Sequence, residues 1–248
     1  MCCLHPIDPA EPKLLEPCRT LPKCARDHVY VFFVHGMDPC DCANLTGLRD
    51  YVQSLGFSKT YYGQMFHTLH FETVVQQIHK DDPEARFVLV GFSFGANFAR
   101  DICQSAKKEG IPVDLLVYLG GNTLSDGPKD QPENACKIVN ILATGCIWNG
   151  DTLEHAENIQ VQGVWHFGSP THPQTLEVLA RELAVVAARV PVPPATAPTM
   201  PPADETAPTP RPVQAQKPAP RDEWDFLKPV SRLERPKIND QRQLENRP

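Results

Sequence analysis

The chain alternates short apolar runs with amphipathic stretches. Val29-Tyr-Val-Phe-Phe-Val34 is continuous, β-branched and aromatic. That is the pattern of a strand buried on both faces of a parallel sheet. Arg86–Val90, Asp114–Leu119, Lys137–Leu142 and Ile159–Val164 read the same way, and Lys59–Tyr62 is a short sixth strand. Between them the apolar positions recur with helical period. Asn44 is placed to cap a helix through about Leu55, stopped by Gly56. Phe71, Val74, Val75 and Ile78 share one face of a helix over about Thr68–His79, which Pro83 prevents from extending. Another helix follows Gly95 and ends before Gly110. The last spans about Pro173–Ala188, with Leu176, Leu179, Leu183 and Val186 among its apolar positions.

Strand–helix alternation of this kind predicts an α/β fold: a mostly parallel sheet of about six strands with helices on both faces. Ligands of such sheets bind beyond the carboxyl ends of the strands. His35, Ser93 and His166 follow predicted strands, and Asp151 can return to that end through a longer loop.

Composition sets the boundaries. Prolines number 26 in 248 residues, and 11 of them fall in the 30 residues from Pro191 to Pro220. Such a stretch continues neither a helix nor an interior strand. The organisation expected is an irregular leader over 1–27, one folded domain over 28–188, a proline-rich linker of polyproline character over 189–220, and a charged, disordered tail over 221–248. Trp224, Phe226, Leu227, Val230 and Leu233 give that tail apolar residues that suit a protein partner.

The formal charge is −6, and no basic stripe interleaved with aromatics is present, so nucleic acid is not an expected partner. No apolar run reaches the length of a transmembrane segment. The stretch MCCLHPIDPAEPKLLEPC lacks a basic region followed by an apolar one, so no signal peptide is recognised and a cytoplasmic location is the default. Nine cysteines are many for such a domain. The spacing of Cys18, Cys24, Cys40 and Cys42 matches no standard zinc pattern, and free or buried thiols are the expectation, ahead of a disulfide or a metal.

Phe87 to Gly95 carries the strongest chemical signal. Gly91-Phe92-Ser93-Phe94-Gly95 lies between a buried strand and a helix, the setting of a nucleophile elbow. Side chains at Gly91 and Gly95 would collide where helix and strand approach, and the serine Oγ is presented above the sheet. A phosphate loop would need Gly-x-Gly-x-x-Gly or a Gly-Lys-Ser/Thr ending, and neither is present. An oxyanion needs two converging donors. The Phe94 N–H sits at a helix N-terminus, and the Met37 N–H follows Gly36, whose missing side chain lets the backbones approach. His35 reads as a structural residue of that turn. In the chain order serine, acid, histidine, His166 is the expected base, with His172 as alternative. Asp151 is the expected acid, with Asp126 and Glu154 as alternatives and Glu157 beyond them.

Three segments, VFFVHGM (31–37), FVLVGFSFG (87–95) and LEHAENIQVQGVWHFG (153–168), together resemble the α/β-hydrolase superfamily. The pattern is most similar to the small bacterial triacylglycerol lipases and esterases without a lid domain, over about residues 28–188. In those proteins an Ala-x-Asn, a strand and a Gly-Val-Gly-His follow one another, and the histidine is catalytic. Here Ala156-Glu157-Asn158 and Gly163-Val164-Trp165-His166 hold those places. The resemblance implies Ser93 as nucleophile, His166 as base, and Met37 and Phe94 as oxyanion donors. It departs from the family at Trp165, where a glycine is usual, at Phe92, where a histidine is usual, and in having no carboxylate close behind the Lys137–Leu142 strand.

The expected activity is a serine carboxylic-ester hydrolase working through an acyl-enzyme, with no metal and no organic cofactor. Phe92, Phe94, Phe167, Trp165, Met37 and Met65 are candidates to line an apolar cleft for an acyl or lipid-like ester. The competing class is an inactive hydrolase fold kept as a binding module.

Overall fold

The computed structural model describes residues 7, 12–121, 131–145 and 150–191. All of them belong to a compact unit spanning Met1–Ala195. The tail over 221–248, nearly all of the linker, Asp126, Cys2, Cys3 and Cys146 lie outside the described residues.

Six strands form one sheet: β1 (Val29–His35), β2 (Thr60–Gln64), β3 (Arg86–Phe92), β4 (Leu115–Leu119), β5 (Ile138–Ala143) and β6 (Glu157–Val161). Every pairing is parallel, in the order β2-β1-β3-β4-β5-β6. The four interior strands are almost wholly buried, which is why they read as unbroken apolar runs. The helices are α1 (Pro12–Arg19), α2 (Lys23–Asp27), α3 (Leu45–Ser54), α4 (Thr68–Asp81), α5 (Gly95–Lys108) and α6 (Pro173–Ala187).

Strand alternation sorts the core into two layers. Val29, Val31 and Phe33 of β1 and Val88, Val90 and Phe92 of β3 pack with α3 and α6 and with Cys18 of α1. Tyr30, Phe32 and Val34, with Phe87 and Leu89, pack against α4 and α5. Helices therefore cover both faces, as the alternation predicts. After β1 the chain moves outward to β2 and then returns to the other side of β1 to form β3. The β1/β3 crevice is thus the switch point at which parallel sheets bind ligands.

Two sequence expectations are corrected. The leader is not irregular throughout: Pro12 to Asp27 carries α1 and α2, and α1 is tied to α6 by the buried Cys18 thiol, whose Sγ lies 3.2 Å from the Ala180 carbonyl. Burial pushes that thiol up to about 11, so Cys18 is an inert packing group. The last strand begins at Glu157, not Ile159, and ends at Val161, because Gly163 turns the chain with φ +73°. Cys24, Cys103 and Cys136 are free thiols as well.

Candidate active site

Ser93 stands at the carboxyl end of β3, half-buried, with φ +54°. This left-handed conformation costs a non-glycine residue about 1–2 kcal/mol, so the surrounding structure must impose it. Two glycines show how. A Cβ on Gly91 would lie 2.5 Å from the Ala96 Cα, and one on Gly95 would lie 2.3 Å from the Val34 carbonyl oxygen. The first turn of α5 is therefore pressed against both β3 and β1. The Ser93 N–H donates to the Leu119 carbonyl at 2.9 Å, fixing the turn to β4.

The turn after β1 closes over the same point. A Cβ on Gly36 would sit 2.8 Å from the Phe92 carbonyl oxygen and 2.9 Å from the Phe94 nitrogen. The backbones that carry the Met37 and Phe94 N–H groups are therefore adjacent. Among the described residues neither N–H donates within the protein. Phe94 precedes α5, where the helix dipole favours negative charge.

His166 opens a short 3₁₀ turn (His166–Gly168) five residues beyond β6. Its ring is 1% exposed and stacks on Phe92, the residue before Ser93, with centroids 4.8 Å apart. Phe167 meets it edge-on at 5.2 Å. The backbone of His166 is anchored as well. The Ser169 hydroxyl donates to its carbonyl at 2.9 Å, and Thr175 of α6 donates to the Ser169 carbonyl at 2.6 Å. Neither Ser169 nor Thr175 carries a sequence signal of this role beyond being cap-type residues near a helix start.

The loop after β5 passes close by. A Cβ on Gly145 would meet the Val164 carbonyl oxygen at 2.5 Å and the Trp165 Cα at 2.9 Å. Asp151 follows on that loop, exposed at the surface, with its carbonyl accepting the buried Asn140 amide at 3.0 Å. Asn158 accepts from Asn140 at 2.9 Å and latches Leu153 and Ala156. Two asparagines on neighbouring strands thus hold the segment that carries Asp151.

The alternatives have other placements. His172 caps α6, its Nδ1 accepting from the Gln174 N–H at 3.2 Å. Glu154 is exposed, and its carbonyl accepts from Gln131. Glu157 begins β6, at the opposite end of the sheet from Ser93, and is bound by Lys137 and Arg181 at 2.7 Å each. The hydrogen bond from Lys137 is the main reason its carboxyl sits below the usual range.

Of the residues expected to line an apolar cleft, Phe92 is fully buried core. Met37, Phe66, Leu69 and Trp165 instead expose apolar surface, from 39% to 77%, and all four follow the carboxyl ends of strands. Phe66 and Leu69 were not singled out from the sequence, because isolated apolar residues at a helix start carry no distinguishing pattern.

One further cluster lies beside Met37. His35 Nε2 is 2.9 Å from Asp41 Oδ1 and 3.6 Å from Asp38 Oδ2, and the three could in principle hold a cation. Their atoms are already engaged. Asp41 accepts the Leu45 N–H at 2.7 Å, the Thr46 N–H at 3.2 Å and the Thr46 hydroxyl, and Asp38 accepts the Ala43 N–H at 2.8 Å. The buried His35 Nδ1 has no partner among the described residues, whereas a ligating histidine almost always donates from its second nitrogen. The cluster has the chemistry of a clamp.

The β1/β3 crevice thus brings together a strained serine and two backbone donors at the carboxyl edge of a parallel α/β sheet, and the His166 imidazole stacks on the residue before that serine. No model of a known protein family matches the chain, and a search of curated proteins finds no relative. Solved structures similar to it include the NocB thioesterase domain in covalent complex with a fluorophosphonate nocardicin G analogue, at 12% identity over 66% of this chain and 96% of that one, with a TM-score of 0.42. The same domain, described as from the nocardicin cluster, matches at 14% identity over 68% of this chain and 96% of that one, with a TM-score of 0.37. No helix among the described residues is long and apolar enough to cross a membrane.

Proposed function

We propose that this protein is a serine hydrolase that cleaves a carboxylic ester of an apolar acyl group. The observation that carries the reading is Ser93 at φ +54°, held by glycine contacts to β1 and β3 while the His166 ring stacks on the preceding residue. A backbone conformation this costly persists where the surrounding structure over-determines it, and it presents the hydroxyl at the strand end.

In the proposed reaction His166 takes the Ser93 proton as Oγ attacks the carbonyl. The negative charge that develops on the carbonyl oxygen is received by the Met37 and Phe94 N–H groups, aided by the α5 dipole. His166 then protonates the leaving alkoxide. Water repeats the cycle on the acyl-enzyme and restores the free serine. Asp151 is the proposed partner of the imidazole, the first carboxylate after β5 on a loop that passes the backbone of Trp165. It would hold the ring tautomer and offset the charge of the imidazolium. The exposed Met37 and Trp165 favour an acyl chain over a sugar or a charged acid. Each methylene removed from water adds about 0.8 kcal/mol, so preference among chain lengths is expected to be graded.

Steady-state hydrolysis of p-nitrophenyl esters from acetate to octanoate tests this. Turnover that rises with chain length and disappears in Ser93→Ala supports the reading. Equal hydrolysis by the wild type and Ser93→Ala, or none by either, leaves a binding module on a hydrolase-like fold.

A further inference from the structure

We propose that Asp41 is a positioning residue for the oxyanion hole, acting through His35 to hold the segment that carries Met37. The inference rests on the hydrolase reading and extends it to residues outside the reacting set. Asp41 joins the last residue of β1 to the first turn of α3. One carboxylate oxygen faces His35 Nε2 at 2.9 Å and receives the Leu45 N–H at 2.7 Å, and the other receives the Thr46 N–H and hydroxyl.

Gly36 to Cys40 is the loop enclosed by this link, and Met37 lies within it. A second tie runs inside the loop, where the Asp41 N–H donates to the Asp38 carbonyl at 3.1 Å and Asp38 Oδ2 accepts the Ala43 N–H at 2.8 Å. Both Asp41 and Asn44 have φ +52°. This backbone would relax toward ordinary conformations if its side-chain ties were cut. The Met37 side chain is 70% exposed, so packing does not hold the segment in place. Its position depends on Gly36 lying against Phe94 and on the clamp.

His35 is completely buried, edge-on to Phe92 at 5.6 Å and to Tyr62 at 6.0 Å. Because a carboxylate oxygen only accepts, the bond between Nε2 and Asp41 runs from the ring N–H to the carboxylate. The ring thereby transmits the position of α3 to the end of β1, next to Phe92 and Ser93. A donor placed by such a clamp costs no reorganisation when the oxyanion forms, which is the condition under which it stabilises the transition state more than the ground state.

The test compares wild type, Asp41→Ala and Asp41→Asn by steady-state kinetics on p-nitrophenyl butyrate, by affinity for a trifluoromethyl ketone that forms a tetrahedral adduct, and by amide hydrogen exchange. Asp41→Ala is expected to lower kcat by about 10- to 100-fold with KM within about twofold, and to weaken the ketone by a similar factor. Exchange over residues 36–44 should rise, while exchange in α5 is unchanged. Asp41→Asn keeps an oxygen for His35 and Leu45 and should recover part of kcat. A folded Asp41→Ala with wild-type kcat and ketone affinity, an Asp41→Asn that recovers none of the kcat lost in Asp41→Ala, or kcat loss matched by a general rise in exchange across the sheet, overturns the assignment. Absence of wild-type turnover is a separate result: it removes the hydrolase reading itself, and with it any oxyanion for Asp41 to serve.

Discussion

Replacing Gly95 by alanine would place a methyl group 2.3 Å from the Val34 carbonyl oxygen and 2.8 Å from the His35 carbonyl carbon. Both atoms belong to the backbone of β1, which is paired with a strand on each side, so neither can swing away. Ordinary Cβ contacts begin near 3.4 Å, so the start of α5 must retreat from β1 by about 1 Å. Overpacking of this kind costs about 1–3 kcal/mol. At ~2–4 °C per kcal/mol for a domain of this size, the melting temperature should fall by roughly 2–12 °C. The same displacement carries the Phe94 N–H away from Met37, and a shift of about 1 Å at a reacting centre costs on the order of 100-fold in rate. Thermal melts and kcat on p-nitrophenyl butyrate, measured on one preparation well below the transition, read both effects. Gly110→Ala is the control. Gly110 has φ +71° with nothing within 4 Å of its Cβ position, so that variant should lose about 1 kcal/mol of stability to backbone strain and retain full activity. A Gly95→Ala protein with the melting temperature and kcat of the wild type would refute the close approach of α5 to β1 on which the elbow depends.

Three further outcomes are expected. Asp151→Asn should lower kcat by about 100- to 10,000-fold with an unchanged melting curve; an unchanged rate moves the acid to Asp126 or another carboxylate. His172→Ala should lose about 1 kcal/mol of stability with its α6 cap and keep its kcat, whereas abolished turnover in a folded protein would make His172 the base. Burial alone would raise the Asp82 carboxyl, but hydrogen bonds from Tyr30 and His28 and the charges of His28 and Lys59 outweigh it and hold it below its ordinary value. Such a carboxylate contributes stability above its unfolded value near pH ~4, and that contribution fades as pH falls through the folded value. Asp82→Asn should therefore destabilise by about 1–3 kcal/mol at neutral pH, and urea unfolding should show the gap to wild type narrowing as the pH falls below the unfolded value of ~4. A gap of the same size at both pH values would contradict that.

Interior strands were legible because burial on both faces removes polar residues from them. Val29–Val34 and Phe87–Val90 are such runs, and β1 and β3 contain them. β6 begins earlier than its apolar pattern suggests because it is an edge strand: Glu157, Asn158 and Gln160 face outward or pair with charges, and the apolar Val164 beyond the Gly163 turn reads as its continuation. α1 is hidden in the sequence because Pro12 and Pro17 suppress its local helical signal, and its place is set by packing against α6. The serine turn was visible because close approach demands glycine at fixed offsets, which any sequence must spell out. The His35–Asp41 contact leaves no such trace. It spans a left-handed turn and joins residues whose spacing follows no helical or strand period. The acid is the least legible part of the site, because the described residues between β5 and β6 include no helix or strand to fix where a carboxylate points.

The central claim is that Ser93 is a nucleophile activated by His166. Incubation with a fluorophosphonate probe followed by peptide mapping measures this directly. The account predicts one adduct, on Ser93, absent in Ser93→Ala and formed far more slowly in His166→Ala. No adduct on the folded wild-type protein, or labelling of Ser93 at an undiminished rate after removal of the imidazole, would contradict it.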